Sequence, residues 1–224
     1  MKITKLPHAC LIIEIDGEKL VVDPSEFFAF DADFATPEHV AAVVYTHNHS
    51  DHYDPKNLAK LVAKNPEMKI FASADTAKNI AQDLPNLQPT VAQPGENQTV
   101  AKFNLDFFGG RHAHIVPGDD KGDNVGVVVN AQLVYPGDSF DYPDAKSLAK
   151  NFVLALPTTG PWLKIGDAMT YLRDFAPTPT EVFPTHNGLG DARANTMTNS
   201  YLAPICAEKN IQFVDLAIGQ NLEI

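Results

Sequence analysis

The sequence predicts a layered α/β domain over residues 1–224, and three observations carry that prediction. Short β-branched runs end repeatedly in loops that carry His or Asp. Helical patterns occur in both halves of the chain around a strand-rich middle, as a layered α/β domain requires. Hydrophobic residues make up 44% of the chain, yet no apolar run approaches the roughly 20 residues of a membrane span. A chain of 224 residues suits one domain able to bury a real core.

Residues 1–23 read as strands, two of them joined at Asp16-Gly17, a hairpin signal. A strand follows at 41–46, a helix at 55–65 and a short strand at 68–72. The helix opens with Asp54 before Pro55, the ordinary pairing of an N-cap with proline at the first helical position. Residues 75–84 look helical and 85–94 form a proline-bearing connection. Strands dominate from about 99 to 135, interrupted by the loop Pro117-Gly118-Asp119-Asp120-Lys121-Gly122. Then come a strand at 152–156, a helix at 165–175, a strand at 181–183, a helix at 193–208 and a strand at 211–216.

The densest chemistry lies in Tyr45-Thr46-His47-Asn48-His49-Ser50-Asp51-His52, directly after the apolar run Ala41-Ala42-Val43-Val44. The run reads as a buried strand emptying into a loop. Alternate residues of an extended chain face the same way, so His47 and His49 can reach one metal ion. Asp51 and His52 follow as the chain turns and can reach a second ion beside it. Imidazole with carboxylate suits zinc, manganese or iron.

Three further strand ends offer ligands. Phe103-Asn104-Leu105-Asp106-Phe107-Phe108 leads into Gly109-Gly110-Arg111-His112-Ala113-His114, where His112 and His114 share a parity. Leu133-Val134-Tyr135-Pro136-Gly137-Asp138 is strand, glycine, then acid. The glycine allows a tight turn, and Asp138 reads either as a metal carboxylate or as a helix cap. Glu181-Val182-Phe183-Pro184-Thr185-His186 again ends a short strand in histidine.

This ordered set resembles the metallo-β-lactamase superfamily, whose fold is a four-layer αβ/βα sandwich with a two-metal site at one edge. The resemblance implies that His47, His49 and His112 hold one ion, that Asp51, His52 and His186 hold the other, and that Asp138 bridges them. A glycine pair shortly before the ligand favours His112 over His114. It further implies two divalent ions, Zn or Mn with Fe as a third choice, and hydrolysis by a metal-bridging hydroxide. Asp51 and Asp138 are the candidate catalytic carboxylates. In Lys19-Leu20-Val21-Val22-Asp23-Pro24 the acid would accept a hydrogen bond from a ligand histidine or from the HxHxDH loop. His8-Ala9-Cys10, Asn124-Val125-Gly126 and Gly160-Pro161-Trp162-Leu163-Lys164 make the chain similar to a bacterial branch that contains L-ascorbate-6-phosphate lactonase. On that loop Trp162 and Lys164 are candidate substrate contacts, with His8 and His114 as further pocket candidates.

Composition narrows the classes. Both cysteines, Cys10 and Cys206, fall outside the ligand positions, unlike the cysteine ligand common in class B β-lactamases. Tyr53-Asp54-Pro55 stands where glyoxalase II and many tRNA-processing members carry glycine, and no room is left for a flavin domain. The formal net charge is −11, and Arg111, Arg173 and Arg193 are the only arginines, which disfavours large nucleic acids as partners. Arg111, Lys121 and Lys164 are the cations nearest the motifs and could serve a small anion. Widely spaced cysteines and a start without a continuous apolar core suit the cytoplasm, with no membrane partner. A small-molecule substrate is expected, and a homo-oligomer is compatible with these features. The expected reaction is hydrolysis of a small ester, lactone or related carbonyl compound. The alternatives are a small-molecule phosphodiesterase and a non-catalytic metal-binding protein.

Overall fold

The computed structural model describes residues 1–116, 118 and 122–224. Lys121 and most of the loop around it lie outside the described residues. Two seven-stranded sheets face each other. The first contains β1 (Lys2–Lys5), β2 (Leu11–Ile15), β3 (Glu18–Val22), β4 (Val40–Tyr45), β5 (Lys69–Ala72) and β6 (Thr90–Val91). The second contains β7 (Asn97–Val100), β8 (Phe103–Gly109), β9 (Val125–Val129), β10 (Leu133–Tyr135), β11 (Val153–Pro157), β12 (Glu181–Thr185) and β13 (Gln212–Phe213). The last strand, β14 (Asn221–Glu223), returns to the first sheet and pairs antiparallel with β1. Each sheet is antiparallel on one side and parallel on the other. β3, β4, β5 and β6 run parallel in the first, and β10, β11, β12 and β13 in the second.

Strand alternation makes the layers. Leu20 and Val22 of β3 point into the core between the sheets, where they join Leu105, Phe107, Val127 and Phe183 of the other sheet. Val21 points the opposite way, with Val43 and Tyr45, onto Leu58 and Leu61 of α1 (Pro55–Lys64) and Ile80 of α2 (Ala74–Asp83). On the far side Val128, Leu154 and Val182 pack against Ala168 and Leu172 of α3 (Ile165–Asp174) and Leu202 and Ile205 of α4 (Ala192–Lys209). Strands buried on both faces read as continuous apolar runs, which is why Val43-Val44 and Val127-Val128-Val129 show no polar alternation. The layers are therefore helix, sheet, sheet, helix: the αβ/βα sandwich.

Helix ends follow local chemistry. The Asp54 carboxylate accepts from the backbone N–H of Lys56 and Asn57 at 3.2 Å each, so Asp54 serves as the cap of α1 and stands outside the site. Asn210 adopts the left-handed conformation that closes α4. Three strands differ from the sequence expectation, one of them β14, which falls where the sequence predicts no strand. The strand expected over 211–216 is short, with Gln212 and Phe213 paired to β12 at the sheet edge and one further bond from the Val214 N–H to the Val182 carbonyl at 2.9 Å. The connection 85–94 carries the short strand Thr90–Val91, which extends the parallel side of the first sheet.

Candidate metal centre

The candidate residues all leave strand ends or turns at one edge of the sandwich. Asp23 follows β3, the HxHxDH loop follows β4, His112 follows β8, Asp138 follows β10, Trp162 follows β11 and His186 follows β12. His8 sits in the turn between β1 and β2. In α/β sheets this is where ligands bind, outside the carboxyl ends of parallel strands.

Their side chains form two groups. His47, His49, His112 and Asp138 present ligand-type atoms within 4.8 Å of one another, and so do His8, Asp51, His52 and His186. Asp138 lies between the groups. Its Oδ2 is 3.8 Å from His47 Nε2, 3.3 Å from His112 Nε2 and 3.0 Å from His186 Nε2, while Oδ1 is 3.0 Å from His52 Nε2. His47 Nε2 faces His49 Nδ1 at 3.1 Å.

The outward nitrogen of most of these rings is already occupied. His52 Nδ1 lies 2.7 Å from Asp23 Oδ2, His112 Nδ1 lies 2.5 Å from the Ala113 carbonyl, and His186 Nδ1 meets the Thr159 carbonyl. Thr46 Oγ1 donates to Asp23 at 2.7 Å, so its lone pairs accept from His47 Nδ1 at 3.1 Å. In its neutral form each of these rings therefore carries its proton on Nδ1 and turns the Nε2 lone pair inward. Nε2 of His52, His112 and His186, with Oδ1 of Asp138, is buried and makes no hydrogen bond among the described residues. Buried polar atoms are ordinarily paired, and inward-facing imidazole lone pairs around a carboxylate are the donor set a divalent cation takes. The residues present therefore fit metal ions.

Electrostatics agrees. Burial alone would raise the Asp138 carboxyl, but positive charge on the facing His52 and His186 rings holds it well below the usual range. In turn Asp138, against the effect of burial, raises His52 well above its ordinary value and His186 to about 9. Without a cation these two rings therefore hold an Nε2 proton that a bound ion would displace. Burial likewise works against ionisation of Asp51, and hydrogen bonds from the doubly protonated His186 ring and from His8 reverse it. Burial pushes His47 well down, and His8 down to about 4.

Asp23 holds the floor of this arrangement. Fully buried, it accepts from the Thr46 N–H at 2.8 Å, Thr46 Oγ1, His52 Nδ1 and the Tyr135 hydroxyl at 2.9 Å. The turn before Asp138 is held by Asn124, whose Oδ1 accepts from the Asp138 N–H and whose Nδ2 donates to the Pro136 carbonyl, both at 2.9 Å. Gly137 is required there. Its φ is +63°, and a Cβ would come within 2.5 Å of Asn124 Oδ1 and 2.8 Å of Thr46 Cβ.

Among the pocket candidates, Trp162 is buried against both groups, with its ring 5.8 Å from His112 and 5.8 Å from His186. His114 and Lys164 are exposed and belong to neither group. His8 joins the second group, closer to the ligand atoms than a pocket wall would be. Tyr135, Thr46 and Asn124 carry roles that sequence reasoning missed; Tyr135 read only as strand and Asn124 only as part of a motif. Arg111 is exposed beside His112 and lines a cavity of about 530 Å³ with Ser139, Phe140 and Asp141.

A family model described as the beta-lactamase superfamily domain matches residues 2–186. The chain belongs to that superfamily. It is 29% identical over 194 residues to protein Rv0786c of Mycobacterium tuberculosis, a match covering 84% of this chain and 85% of the relative. Among solved structures it resembles a protein of Parabacteroides distasonis provisionally assigned as a metal-dependent hydrolase. The TM-score is 0.73 at 20% identity, covering 96% of this chain and 92% of that one. Igni18, a metallo hydrolase of Ignicoccus hospitalis, also gives 0.73, at 16% identity, covering 100% and 98%. At these identities the structures support the fold, two mixed sheets with helices outside. No helix among the described residues is long and apolar enough to cross a membrane.

Proposed function

We propose that this chain is a metal-dependent hydrolase holding two divalent ions, and that it acts on a small ester, lactone or related carbonyl compound. The observation that carries the reading is Asp138, a buried carboxylate set between two histidine groups in which Nε2 of His52, His112 and His186 makes no hydrogen bond among the described residues. His47, His49 and His112 would hold one ion and Asp51, His52 and His186 the other, with Asp138 shared. Imidazole and carboxylate donors suit zinc, manganese or iron. Bound there, divalent ions supply Lewis acidity and a hydroxide nucleophile near neutral pH.

The chain's own residues divide the remaining work. Asp138 is nearly sealed from solvent and fixed by Asn124, so it orients rather than exchanges protons. Asp51 has a side chain 23% exposed and is the site carboxylate through which a proton can leave. Trp162 and Phe140, with ring centroids 5.5 Å apart, form an apolar wall beside His112. That wall suits an uncharged carbonyl substrate and supports a lactonase-like reading. Arg111, on the cavity beside His112, favours a second reading, a small-molecule phosphodiesterase. The fold and the family are compatible with both, and with a cytoplasmic enzyme whose partner is a small molecule rather than nucleic acid.

The test is a metal count followed by a paired assay. Protein purified without chelators or a histidine tag should carry near two ions per chain. It should open lactones or cleave esters, and lose that activity in Asp138→Asn. Cleavage of phosphodiesters but not carbonyl substrates would replace the first reading with the second. Failure to bind zinc, manganese or iron would defeat both.

A further inference from the structure

His8 is the odd histidine of the centre. His47, His52, His112 and His186 each spend the outward Nδ1 proton on an acceptor, so their neutral rings face inward with a lone pair. His8 has the reverse polarity. Its Nδ1 accepts the backbone N–H of Gly188 at 3.0 Å, so that nitrogen carries no proton. The ring proton must then sit on Nε2, which points at Asp51 Oδ2 from 3.2 Å. A nitrogen holding a proton cannot ligate a metal. An imidazolium is excluded on the same ground, because an Nδ1 proton would meet the Gly188 N–H head on.

The polarity is built into the backbone. His8 stands at a φ of +60°, a conformation uncommon outside glycine. Its carbonyl accepts from the His186 N–H at 3.0 Å, and its ring stacks on Phe27 with centroids 4.2 Å apart. Gly188 can come so close only because it lacks a side chain: a Cβ would lie 2.9 Å from both His8 Nδ1 and Phe27 Cδ1. Three elements thus converge to hold one ring whose only inward group is a donor.

We propose that His8, although grouped in space with Asp51, His52 and His186, is not a metal ligand but a positioning residue whose Nε2–H fixes Asp51. Asp51 Oδ2 also lies 3.3 Å from His186 Nε2, so this one oxygen faces both rings, of which only His8 brings a proton when the two are neutral. The His8 proton ties the carboxylate down on one side and leaves its remaining lone pairs for an ion. The second group then offers Asp51, His52 and His186 plus the shared Asp138, matching the three histidines plus Asp138 of the first.

The inference rests on the two-ion reading for what Asp51 does, but its test does not depend on turnover. Long-range ¹H–¹⁵N correlation spectra of the full, zinc-loaded chain report the tautomer of each histidine, with His8 assigned by its loss in His8→Gln. We expect His8 to show a proton on Nε2 and none on Nδ1, while His52, His112 and His186 show the opposite. In zinc titrations both variants should still bind two ions. His8→Ala should lose about 10–100-fold in affinity for the second ion, and His8→Gln, whose carboxamide N–H can reach Asp51, should recover most of it. A zinc-shifted, unprotonated Nε2 on His8 would overturn the proposal, as would the loss of one zinc equivalent in both variants. Absence of hydrolysis with the expected tautomer would defeat the functional reading alone.

Discussion

Asp23→Asn separates orientation from ligation, because Asp23 touches a ligand histidine without facing the space between the two groups. Its Oδ2 accepts from three donors, Thr46 Oγ1, His52 Nδ1 and the Tyr135 hydroxyl, and its Oδ1 accepts only the Thr46 N–H. An asparagine keeps the most bonds by placing its oxygen at the Oδ2 position. Its NH₂ then opposes the Thr46 N–H, a buried donor facing a donor. Losing one hydrogen bond to a charged acceptor and orphaning a buried N–H costs about 2–3 kcal/mol. For a chain of this size that is a fall of roughly 5–10 °C in Tm. Loss of the negative charge also weakens His52 as a ligand, by about 10–100-fold in affinity at the second ion. The first ion feels the change only through Thr46 Oγ1 and His47, so its affinity should fall less. Competition titration with a chromogenic chelator reads the two constants, and thermal unfolding before metal addition reads the stability. Equal losses at both ions, or an unchanged second constant beside a lowered Tm, would refute the claim that Asp23 acts through His52.

Gly137→Ala should fold but bind metal poorly, because the added Cβ drives into Asn124 and Thr46 and displaces Asp138. Metal per chain should drop well below that of the parent, and a normal count would sink the close-approach argument. His112→Ala should lose the first ion whereas His114→Ala should keep both, which elemental analysis decides. Lys5 gives a pH test. Its buried Nζ donates to the Pro184 carbonyl at 2.7 Å, and burial, opposed by Asp215, lowers its pKa to about 8 from 10.5. A folded pKa below the unfolded one means the unfolded chain binds more protons between those values. The Lys5 contribution to stability should therefore rise with pH from about 8 to 10.5, by about 3 kcal/mol at most. Denaturant unfolding of the parent and Lys5→Met across that range should show the difference between them changing in that sense; a flat difference refutes it.

Much of the site was legible because strand ends are. An apolar run ending in His or Asp marks both a buried strand and a side chain delivered to the sheet edge, so β4, β8, β10 and β12 announced together the side chains that the fold clusters. The parity argument for His47 and His49 works for the same reason. It could not choose between His112 and His114, since both satisfy parity; only the path of the chain after Gly109-Gly110 sends one ring inward and leaves the other exposed. What stayed hidden were the contacts between distant segments. His8 and Gly188 lie 180 residues apart, and Tyr135 meets Asp23 across 112. No local pattern encodes which nitrogen of a histidine carries the proton, because the acceptor or donor that decides it comes from another strand. The tautomer is a property of the fold, and in this centre it separates His8, which turns a proton inward, from His52, His112 and His186, whose neutral rings turn a lone pair there.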